Sequence, residues 1–384
     1  MIFRCNELEN KKQREMVKIY KDKFHNILDI AIKAGASDIH LTNNLVPTLR
    51  VDGELRRLKK LEENTPEILE GFVKEILTEE EFEKYRKENE IDLSMTYGSM
   101  RFYGAVRFRI HIYRQSNSDC IVLRTIPQDI PSFGELNLPP VLKKFTTMKN
   151  GLVLITGGTG SGKSTTLAAI IDKINTHQSK NIITIEDPIE FIHKHKLSIV
   201  NQREIGSDVS SFSRAVRAAM REDPDILLVG EMRDLETIQN AITMAETGHL
   251  VFGTLHTKSV GETVDRIIDV FPANQQDQMR IQLANSIEGI VCQDLLPKIG
   301  GGRVPTCEIM IANDAIRNII RENQGPNAIV DQMQTTSRAQ GTQTRIQSLA
   351  KLVVDGLIDQ ETALNNIKSD EIESLNRTIV SLSR

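Results

Sequence analysis

The stretch of the chain with the clearest chemical meaning is "GGTGSGKSTT", residues 157–166, which lies between the apolar run "GLVLIT" and the segment "LAAIIDKIN". It matches the pattern GxxxxGK[ST] through Gly157, Gly162, Lys163 and Ser164. In such a loop, backbone N–H groups surround the β-phosphate of a nucleotide, the lysine attracts the β and γ oxygens, and the hydroxyl can bind Mg²⁺. The pattern lies between a predicted strand and a predicted helix, where a phosphate loop must lie. The predicted nucleotide-binding residues are Gly157, Gly158, Thr159, Gly160, Ser161, Gly162, Lys163, Ser164 and Thr165.

Two acidic residues follow the next apolar run in "ITIEDPIEF". Glu186 and Asp187 come at the carboxyl end of a predicted strand, and that end of an α/β sheet faces the ligand crevice. They are therefore candidates for arranging the water molecules of a bound metal ion. The alternative is that they only cap the turn before Pro188.

A third apolar run ends in "DILLVGEMRD" and supplies another candidate acid. A Walker B strand commonly carries Asp where Gly230 stands, so Mg²⁺ would depend on Ser164 and on acids bridged by water. We predict that Glu231 orients or deprotonates the attacking water, because phosphoryl transfer requires an aligned nucleophile. The alternative is a surface acid paired with Arg233.

Two histidines flank the apolar strand predicted in "TGHLVFGTLHT". His249 and His256 are seven positions apart, so a regular strand would direct them to opposite faces, and we do not expect a shared metal site. One of them could sense the γ-phosphate from the end of the strand. Otherwise each is an ordinary hydrogen-bonded histidine.

Four arginines lie on neighbouring predicted strands in "VRFRIHIYRQSNSDCIVLR": Arg107, Arg109, Arg114 and Arg124. From the pattern alone, a solvated sheet face is the simpler interpretation. A nucleotide bound at a subunit edge would, however, lack positive charge unless arginines come from elsewhere. An arginine donated by a neighbouring subunit neutralises transition-state charge and couples hydrolysis to subunit contact.

The elements that must position these residues form two predicted domains. The stretch "IPQDIPSFGELNLPP" interrupts the periodic patterns with four prolines, so we place a linker at 128–140, between domains at 1–127 and 141–384. The first domain combines an amphipathic helix, short strands and a charged helical segment at 65–90. In the second domain, short apolar runs alternate with helical stretches, which predicts a parallel sheet in an α/β nucleotide-binding core. From about residue 313 onward the pattern is mostly helical.

Composition excludes several other classes of protein. With 39% hydrophobic and 26% charged residues, the 384-residue chain is typical of a soluble globular protein with two domains. A net charge of −4 offers no electrostatic reason for tight nucleic-acid binding. We find neither a signal-peptide core nor an apolar run approaching the ~20 residues of a membrane span, so we expect a cytoplasmic protein. The four cysteines lie far apart, which argues against a zinc site or a disulfide framework.

Taken together, the motifs make the chain, from about residue 24 to residue 365, resemble the secretion ATPase superfamily and, within it, the type IV pilus retraction ATPases. The resemblance is carried by "GASDIHLT", "LRVDGELRRL", "GGTGSGKST", "ITIEDPIEF", "DPDILLVGEMRDLET" and "AETGHLVFGTLHT". The segment "AIRNIIRE", residues 315–322, is similar to that family's carboxyl-terminal signature with one Ile in place of Leu. Gly158 stands where Pro is common in the family, and a charged stretch of about twenty residues precedes the usual start.

The resemblance implies a PAS-like amino-terminal α/β domain and a RecA-like P-loop ATPase core with a helical carboxyl-terminal segment, assembled as a homohexameric ring. It implies ATP and Mg²⁺ as ligands. It also implies that Arg109 and Arg124 reach the nucleotide. The family's other motifs fall on Glu186 and Glu190 (Asp box), Gly230 and Glu231 (Walker B), and His249 and His256 (His box).

The function implied by the resemblance is an ATP-hydrolysing motor for pilus retraction, acting on the pilin fibre through an inner-membrane platform protein. We expect no nucleic-acid partner and no direct insertion into the membrane. The alternatives are an assembly ATPase for pilus extension or type II secretion, an accessory retraction ATPase, a nucleic-acid translocase and an inactive scaffold. Assembly ATPases usually carry a four-cysteine zinc element that this sequence lacks. The absence of Trp and 4% aromatic residues argue against a translocase that stacks on bases.

Overall fold

The structure is a computed structural model that describes residues 2–51, 53–98, 106–127 and 129–383, with side chains from residue 16 onward except at 337–340. The chain divides into two compact units, residues 1–128 and 129–384. Both units mix helices and strands, which confirms the predicted α/β fold class. Within the described ranges, no helix combines the length and the apolar content that crossing a bilayer requires.

Unit 1 is a six-stranded antiparallel sheet with the strand order β3-β2-β1-β6-β5-β4. Buried side chains alternate with exposed ones along β5, so one face of the sheet packs against the helices and the other is open. Phe24, Phe72 and Phe108 are among the fully buried residues of this core. The elements are α1 (Ile2–Lys33), β1 (Asp38–Leu41), β2 (Thr48–Val51), β3 (Glu54–Arg57), α2 (Pro66–Ile76), α3 (Glu79–Glu88), β4 (Glu90–Tyr97), β5 (Val106–Gln115) and β6 (Ser118–Ile126).

The charged segment predicted as helical at 65–90 contains two helices, because each has its own amino-terminal cap. The Thr65 hydroxyl accepts a hydrogen bond from the backbone of Ile68 at the start of α2. Thr78 and Glu81 form a reciprocal capping box that starts α3. Asn89, with a left-handed φ of 63°, ends α3 and leads directly into β4. Sequence analysis missed β4, since its exposed and buried residues alternate poorly.

Unit 2 contains a seven-stranded sheet with the order β13-β12-β7-β11-β10-β8-β9, in which only the β12–β13 pair is antiparallel among the described strands. The elements are β7 (Gly151–Thr156), α4 (Lys163–His177), β8 (Asn181–Glu186), β9 (Ile199–Glu204), α5 (Phe212–Ala219), β10 (Ile226–Val229), α6 (Leu235–Glu246), β11 (Leu250–Leu255), α7 (Val260–Asp269), α8 (Ala273–Ser286), β12 (Ile287–Pro297), β13 (Arg303–Ile311), α9 (Asp314–Arg321), α10 (Pro326–Gln340), α11 (Arg345–Val354), α12 (Gln360–Leu364) and α13 (Ile372–Leu382).

The sheet of unit 2 is covered on both faces, which explains why its strands are continuously apolar. Leu152 and Leu154 of β7 pack into one hydrophobic cluster, whereas Val153 and Ile155 pack into another on the opposite face. Every residue of β7, β10 and β11 is buried. Strands of this kind form the predicted parallel core, and their carboxyl ends meet at one edge.

The segment predicted as a linker, 128–140, contributes side chains to unit 2. Phe133 and Leu138 are 8% and 7% exposed and belong to the cluster that contains Val153. A separate cluster joins helices α11 to α13 to the β12–β13 hairpin through Leu296 and Val304. The hairpin is therefore supported by the carboxyl-terminal helices.

Candidate functional site

The predicted phosphate loop connects the buried strand β7 to helix α4, and two of its glycines have no room for a side chain. A Cβ on Gly157, whose φ is 142°, would lie 2.2 Å from the backbone oxygen of Gln293. A Cβ on Gly162, whose φ is 86°, would lie 2.8 Å from the Gln293 amide nitrogen. Gly162 is also the cap of α4, so the loop directs the amino terminus of this helix toward the crevice.

Gln293 holds the loop from behind, and sequence analysis did not find it. Its side-chain nitrogen donates to the Ser161 carbonyl oxygen at 2.7 Å, and its side-chain oxygen accepts from the Thr166 hydroxyl at 2.8 Å. Gln293 is 3% exposed, so these bonds form in a buried environment where an unpaired amide would be costly. Strand β12 thus positions a loop that lies 132 residues earlier in the chain.

The Lys163 ammonium donates hydrogen bonds to the carbonyl oxygens of Gly157 and Gly158, each at 2.9 Å. Partial burial lowers the pKa of Lys163 from its ordinary value, and the nearby Glu231 and Glu190 carboxylates oppose that shift. The lysine is therefore already held against the loop, with its charge compensated by acids across the crevice.

A cavity of about 370 Å³ opens in front of the loop. Residues 159–165 of the predicted loop line it, whereas Gly157 and Gly158 instead bind the Lys163 ammonium through their carbonyl oxygens. Such a volume lies within the usual range of small-ligand sites. Its other lining residues are Glu186, Asp187, Pro188, Glu190, Phe212, Gly230, Glu231, Thr254, His256, Leu295 and Arg303.

Glu186 lines the cavity at the last position of β8. Its carboxylate accepts hydrogen bonds from the Thr184 hydroxyl at 2.6 Å and from the Gln202 amide at 3.2 Å. Burial raises the pKa of Glu186 above its ordinary value, although these two hydrogen bonds oppose the shift. Glu186 therefore retains a proton to higher pH than an exposed glutamate would.

Glu231 lies one residue beyond the turn that ends β10, and its side chain is 19% exposed. It forms an ion pair with Arg233, and the Nε2 of His256 lies 3.2 Å from the carboxylate. The pairing with Arg233 that we weighed as an alternative is thus present, but Glu231 also lines the cavity. The two descriptions are compatible.

Gly230, which stands where Walker B strands commonly carry Asp, is explained by close strand packing. Its N–H donates to the Ile185 carbonyl oxygen at 2.7 Å. A Cβ at this position would lie 2.9 Å from that same oxygen and 3.1 Å from the Glu186 Cα. Any side chain here would push β10 away from β8.

The two predicted histidines lie at opposite ends of β11. His256 lines the cavity, at the carboxyl end. His249 precedes the strand, and its Nδ1 lies 3.0 Å from the Met244 carbonyl oxygen. The geometry brings His256 together with Glu231 and leaves His249 outside the cavity lining.

Arg109 and Arg124 belong to unit 1, where they are directly opposite each other on β5 and β6. The Arg124 guanidinium donates to the buried Asp38 carboxylate at 2.9 Å, while its own side chain is 71% exposed. Both arginines line an open groove with Asp92 and His111. They form an exposed pair on the open face of the sheet.

The lining of the cavity suits a magnesium ion that keeps much of its water. Among the described residues, no group of three or more His, Cys, Asp or Glu side chains could hold a metal by itself. Mg²⁺ usually takes one or two protein oxygens together with substrate phosphates and water. Ser164 and the acids Glu186 and Glu231, which border the same cavity, are donors of that kind.

Sequence analysis missed several lining residues, among them Phe212, Thr254, Leu295 and Arg303. Arg303 corrects our expectation that this sequence supplies no arginine of its own to the site, because it begins β13 and lies at the cavity. The missed signal was the β12–β13 hairpin, whose two mostly buried strands are joined by a turn that ends in "GGGR".

The fold and the cavity define a P-loop nucleotide-binding protein, and comparison with known proteins identifies its family. The model of the family described as "Type II/IV secretion system protein" matches residues 12–301. The chain therefore belongs to the type II/IV secretion system protein family, as the resemblance predicted, and it is an ATPase of that family.

Individual relatives match nearly the whole chain. The type IV pilus retraction ATPase PilT of Pseudomonas aeruginosa is 46% identical over 348 residues, which cover 90% of this chain and 98% of that protein. The twitching motility protein of Neisseria gonorrhoeae is 44% identical, with 85% of each chain covered. A crystal structure of the pilus retraction motor PilT with bound ADP matches with a TM-score of 0.83 at 46% identity, covering 91% and 98%.

Proposed function

We propose that this protein is the ATP-driven motor that retracts type IV pili and thereby powers twitching motility. The observation that carries the proposal is the similarity to a pilus retraction ATPase over 98% of that protein's length. The cavity supports it, since Lys163, Glu186 and Glu231 are all present around one crevice. An inactive scaffold would have no reason to keep these three groups together.

The loop would hold the triphosphate by two means. Backbone N–H groups and the amino terminus of α4 stabilise the phosphates electrostatically, and the Lys163 ammonium moves from the loop carbonyls to the β and γ oxygens. The Ser164 hydroxyl would be a ligand of Mg²⁺. When bound, that ion neutralises charge on the β- and γ-phosphates as the bond breaks.

Glu231 would orient the attacking water and take its proton. The carboxylate is held by Arg233 and His256, so its direction is set before the substrate arrives. His256, at the end of β11, would sense the γ-phosphate. Glu186, which accepts hydrogen bonds from Thr184 and Gln202, would hold the water molecules around the metal ion.

The active assembly would be a hexameric ring in which subunits contact one another head to tail. Each interface would hold one nucleotide, and Arg109 with Arg124 of the adjoining copy would add positive charge to that of Lys163 and Arg303. Both arginines lie together on an open sheet face, which suits a contact with another molecule. Hydrolysis and product release would then displace one body against its neighbour, and this motion is the mechanical output.

Within this assembly, residues 1–127 would serve as a PAS-like domain and residues 141–384 as a RecA-like motor, joined at 128–140. We place the protein in the cytoplasm, held at the inner membrane by a platform protein that transmits force to the pilin fibre. Nucleic acid is not expected as a partner.

Helix α9, which carries the "AIRNIIRE" signature, would couple the nucleotide cavity to pilus retraction through its contacts with α8 and β12. Ile316 and Ile320 are buried in the core of unit 2. Arg317 donates to the Ala284 carbonyl oxygen at 2.7 Å and to the Glu288 carboxylate at 2.7 Å. It thereby caps α8 and ties α9 to the start of β12, the strand that carries Gln293.

A test of the signature must distinguish loss of retraction from loss of folding. Replacing Ile319 and Ile320 would disturb the core, so loss of retraction could reflect loss of folding. Arg317→Ala removes the capping interactions and keeps the apolar face. We expect it to spare nucleotide binding and to stop retraction, whereas Asn318→Ala on the exposed side of the helix should change neither.

The decisive experiment for the proposed function is deletion of the gene in its own organism, followed by counting surface pili. Excess pili with loss of twitching support a retraction motor. Bald cells would instead indicate an assembly ATPase, and retraction that is weakened but persists would indicate an accessory ATPase. A nucleic-acid translocase predicts strong stimulation of ATP hydrolysis by DNA, which a phosphate-release assay measures directly.

A further inference from the structure

A second cavity, of about 320 Å³, adjoins the nucleotide cavity in unit 2. The two cavities share Glu231 and His256 as lining residues, so they meet where β10 and β11 end. The His256 Nε2 lies 3.2 Å from the Glu231 carboxylate, and this contact forms part of the boundary between the cavities. Six further residues line only the second cavity: Met232, Arg233, Ile238, Leu255, Arg266 and Val270.

The lining of the second cavity combines buried apolar side chains with exposed cations. Ile238 and Leu255 are buried in the core of unit 2, whereas Arg233 and Arg266 are exposed. Helix α7 carries Arg266, whose guanidinium forms no ion pair with a carboxylate in the part of the chain that the structure describes. Glu231 is the single acid among the described lining residues. The lining therefore carries an excess of positive charge.

This charge suits one phosphate group rather than a chain of them. A guanidinium presents its N–H groups in a planar fork that matches two oxygens of a phosphate. Arg233 is already paired with Glu231, so Arg266 is the cation that a ligand can use. A di- or triphosphate would also require the backbone N–H groups of a glycine-rich loop, and no glycine is among the described lining residues.

Hydrolysis would produce such an anion at the boundary between the two cavities. The oxygen of the water oriented by Glu231 bonds to the γ-phosphorus, and the water proton passes to the carboxylate. The bond to the β–γ bridging oxygen breaks, and ADP keeps its electron pair. Inorganic phosphate thus forms beside the contact between Glu231 and His256. While ADP occupies the loop, the second cavity offers this product the adjacent positive charge.

We propose that the second cavity is a binding site for inorganic phosphate, the product of hydrolysis, with the Arg266 guanidinium as its main ligand. Phosphate in this site and a nucleotide on the loop are bound at the same time. Phosphate held here is removed from the γ position, so it leaves independently of ADP. The inference rests on the proposed function only for the origin of the phosphate, through the role of Glu231.

The test asks whether phosphate binds when the γ position is already filled. Equilibrium dialysis measures the binding of radiolabelled inorganic phosphate to the full chain, with Mg²⁺ and a saturating non-hydrolysable imido analogue of ATP. The analogue places its own phosphate group at the γ position. We expect inorganic phosphate to bind all the same. The protein is kept at concentrations where it assembles, so a cavity covered by another copy would show no binding.

Arg266→Ala tests the residue that defines the site. We expect it to weaken phosphate binding roughly tenfold in the presence of the analogue, as loss of one charge-assisted hydrogen-bonding partner does, and to leave the dissociation constant of the analogue unchanged. Arg266→Lys keeps the charge without the planar fork and should be intermediate. Lys258→Ala removes an exposed cation just before α7, outside both linings, and should bind phosphate like the parent. Thermal unfolding midpoints show that the variants are folded.

Three outcomes would overturn the inference. Loss of phosphate binding in the presence of the analogue would mean that phosphate occupies only the γ position or that another copy fills the second cavity. Equal affinity in Arg266→Ala and the parent, or equal weakening by Lys258→Ala, would leave Arg266 without a specific role. A parent that does not bind the analogue would overturn the proposed function, whereas one that binds the analogue but no phosphate would overturn this inference alone.

Discussion

The nucleotide cavity of unit 2 and the arginine groove of unit 1 both gather charged side chains at strands, yet they differ in how those charges are held. In the cavity, residues from several strand ends converge, and Glu231 is 19% exposed between Arg233 and His256. In the groove, Arg109 and Arg124 are simple cross-strand neighbours, and the Arg124 side chain is 71% exposed.

The difference indicates which of the two surfaces can bind a ligand without a second subunit. A cavity with partly buried acids and a fixed lysine can bind a ligand within one chain, because its electrostatics act at low effective dielectric. Open guanidinium groups are screened by water and contribute little until another surface covers them. The cavity should therefore account for nucleotide binding, and the groove for dependence on assembly.

Lys163→Ala is the change with the largest expected effect on the cavity. It removes the ammonium that faces the β and γ oxygens, so ATP turnover should fall by about 100-fold or more, to the background of a phosphate-release assay. Lys173→Ala, farther along the same helix, is the control and should retain parental activity. Substantial turnover by Lys163→Ala would mean that the cavity is not the catalytic site.

Glu231→Gln tests whether Glu231 takes part in the reaction or only maintains the structure of the cavity. The amide keeps the size of the side chain but cannot accept a proton, so turnover should drop by about 10²- to 10⁴-fold. The dissociation constant for ATP should stay close to the parental value. If binding is lost together with turnover, Glu231 serves mainly to anchor Arg233 and His256.

Arg109→Ala tests the arginine groove of unit 1. We expect turnover to decrease roughly 10- to 1,000-fold at concentrations where the protein assembles, because a transition-state arginine is lost. Nucleotide affinity measured at dilution should not change. Arg57→Ala, at an exposed position of β3, is the control. If the parental protein has the same specific activity as a dilute monomer as it has when assembled, the groove makes no contribution to turnover.

Arg124→Ala should lower turnover as Arg109→Ala does, and the smallest effect we predict is its additional effect on stability. Asp38 is buried, which by itself raises its pKa, but hydrogen bonds from Arg124 and Ser37 and the Arg124 charge hold the pKa below its ordinary value. A depressed carboxyl pKa stabilises the fold above the pKa of the unfolded chain, and this contribution is lost as the pH falls through the folded value.

The ion pair of Asp38 should therefore matter at neutral pH and not in acid. We expect Arg124→Ala to lower the free energy of unfolding by about 1 kcal/mol at pH 7, since the pair is largely exposed on the arginine side. The difference between parent and variant should shrink as the pH falls below the ordinary carboxyl pKa. Thermal unfolding at several pH values measures this difference in stability. A difference that grows in acid would show that the ion pair does not lower the pKa of Asp38.

Much of the cavity could be predicted from the sequence, because its parts are local. The loop, Glu186, Glu231 and His256 each follow an apolar run directly, and a parallel sheet brings the carboxyl ends of such runs together. The two-helix character of residues 65–90 was missed for the opposite reason. Thr78 and Glu81 act as a cap only once the preceding helix has ended, which a charge pattern does not reveal.

The remaining site residues depend on contacts between distant segments. Nothing in the neighbourhood of Gln293 in the sequence relates it to a loop 132 positions away, and only pairing of β12 with β7 places its amide under Ser161. Gly230 could be read as a missing acid, but the reason for glycine is the Ile185 oxygen 2.9 Å from any Cβ there.

The sequence alone predicted a phosphate loop at residues 157–165 and a place among the secretion ATPases, because both depend on short contiguous motifs. Tertiary structure decided which residues surround the cavity in front of that loop: it brought in Arg303, placed Gln293 behind the loop and left His249 outside the lining. The physical reason is that a motif depends on the spacing of residues within one short segment. Contacts between neighbouring strands depend instead on strand order and packing, which a short segment of sequence does not determine.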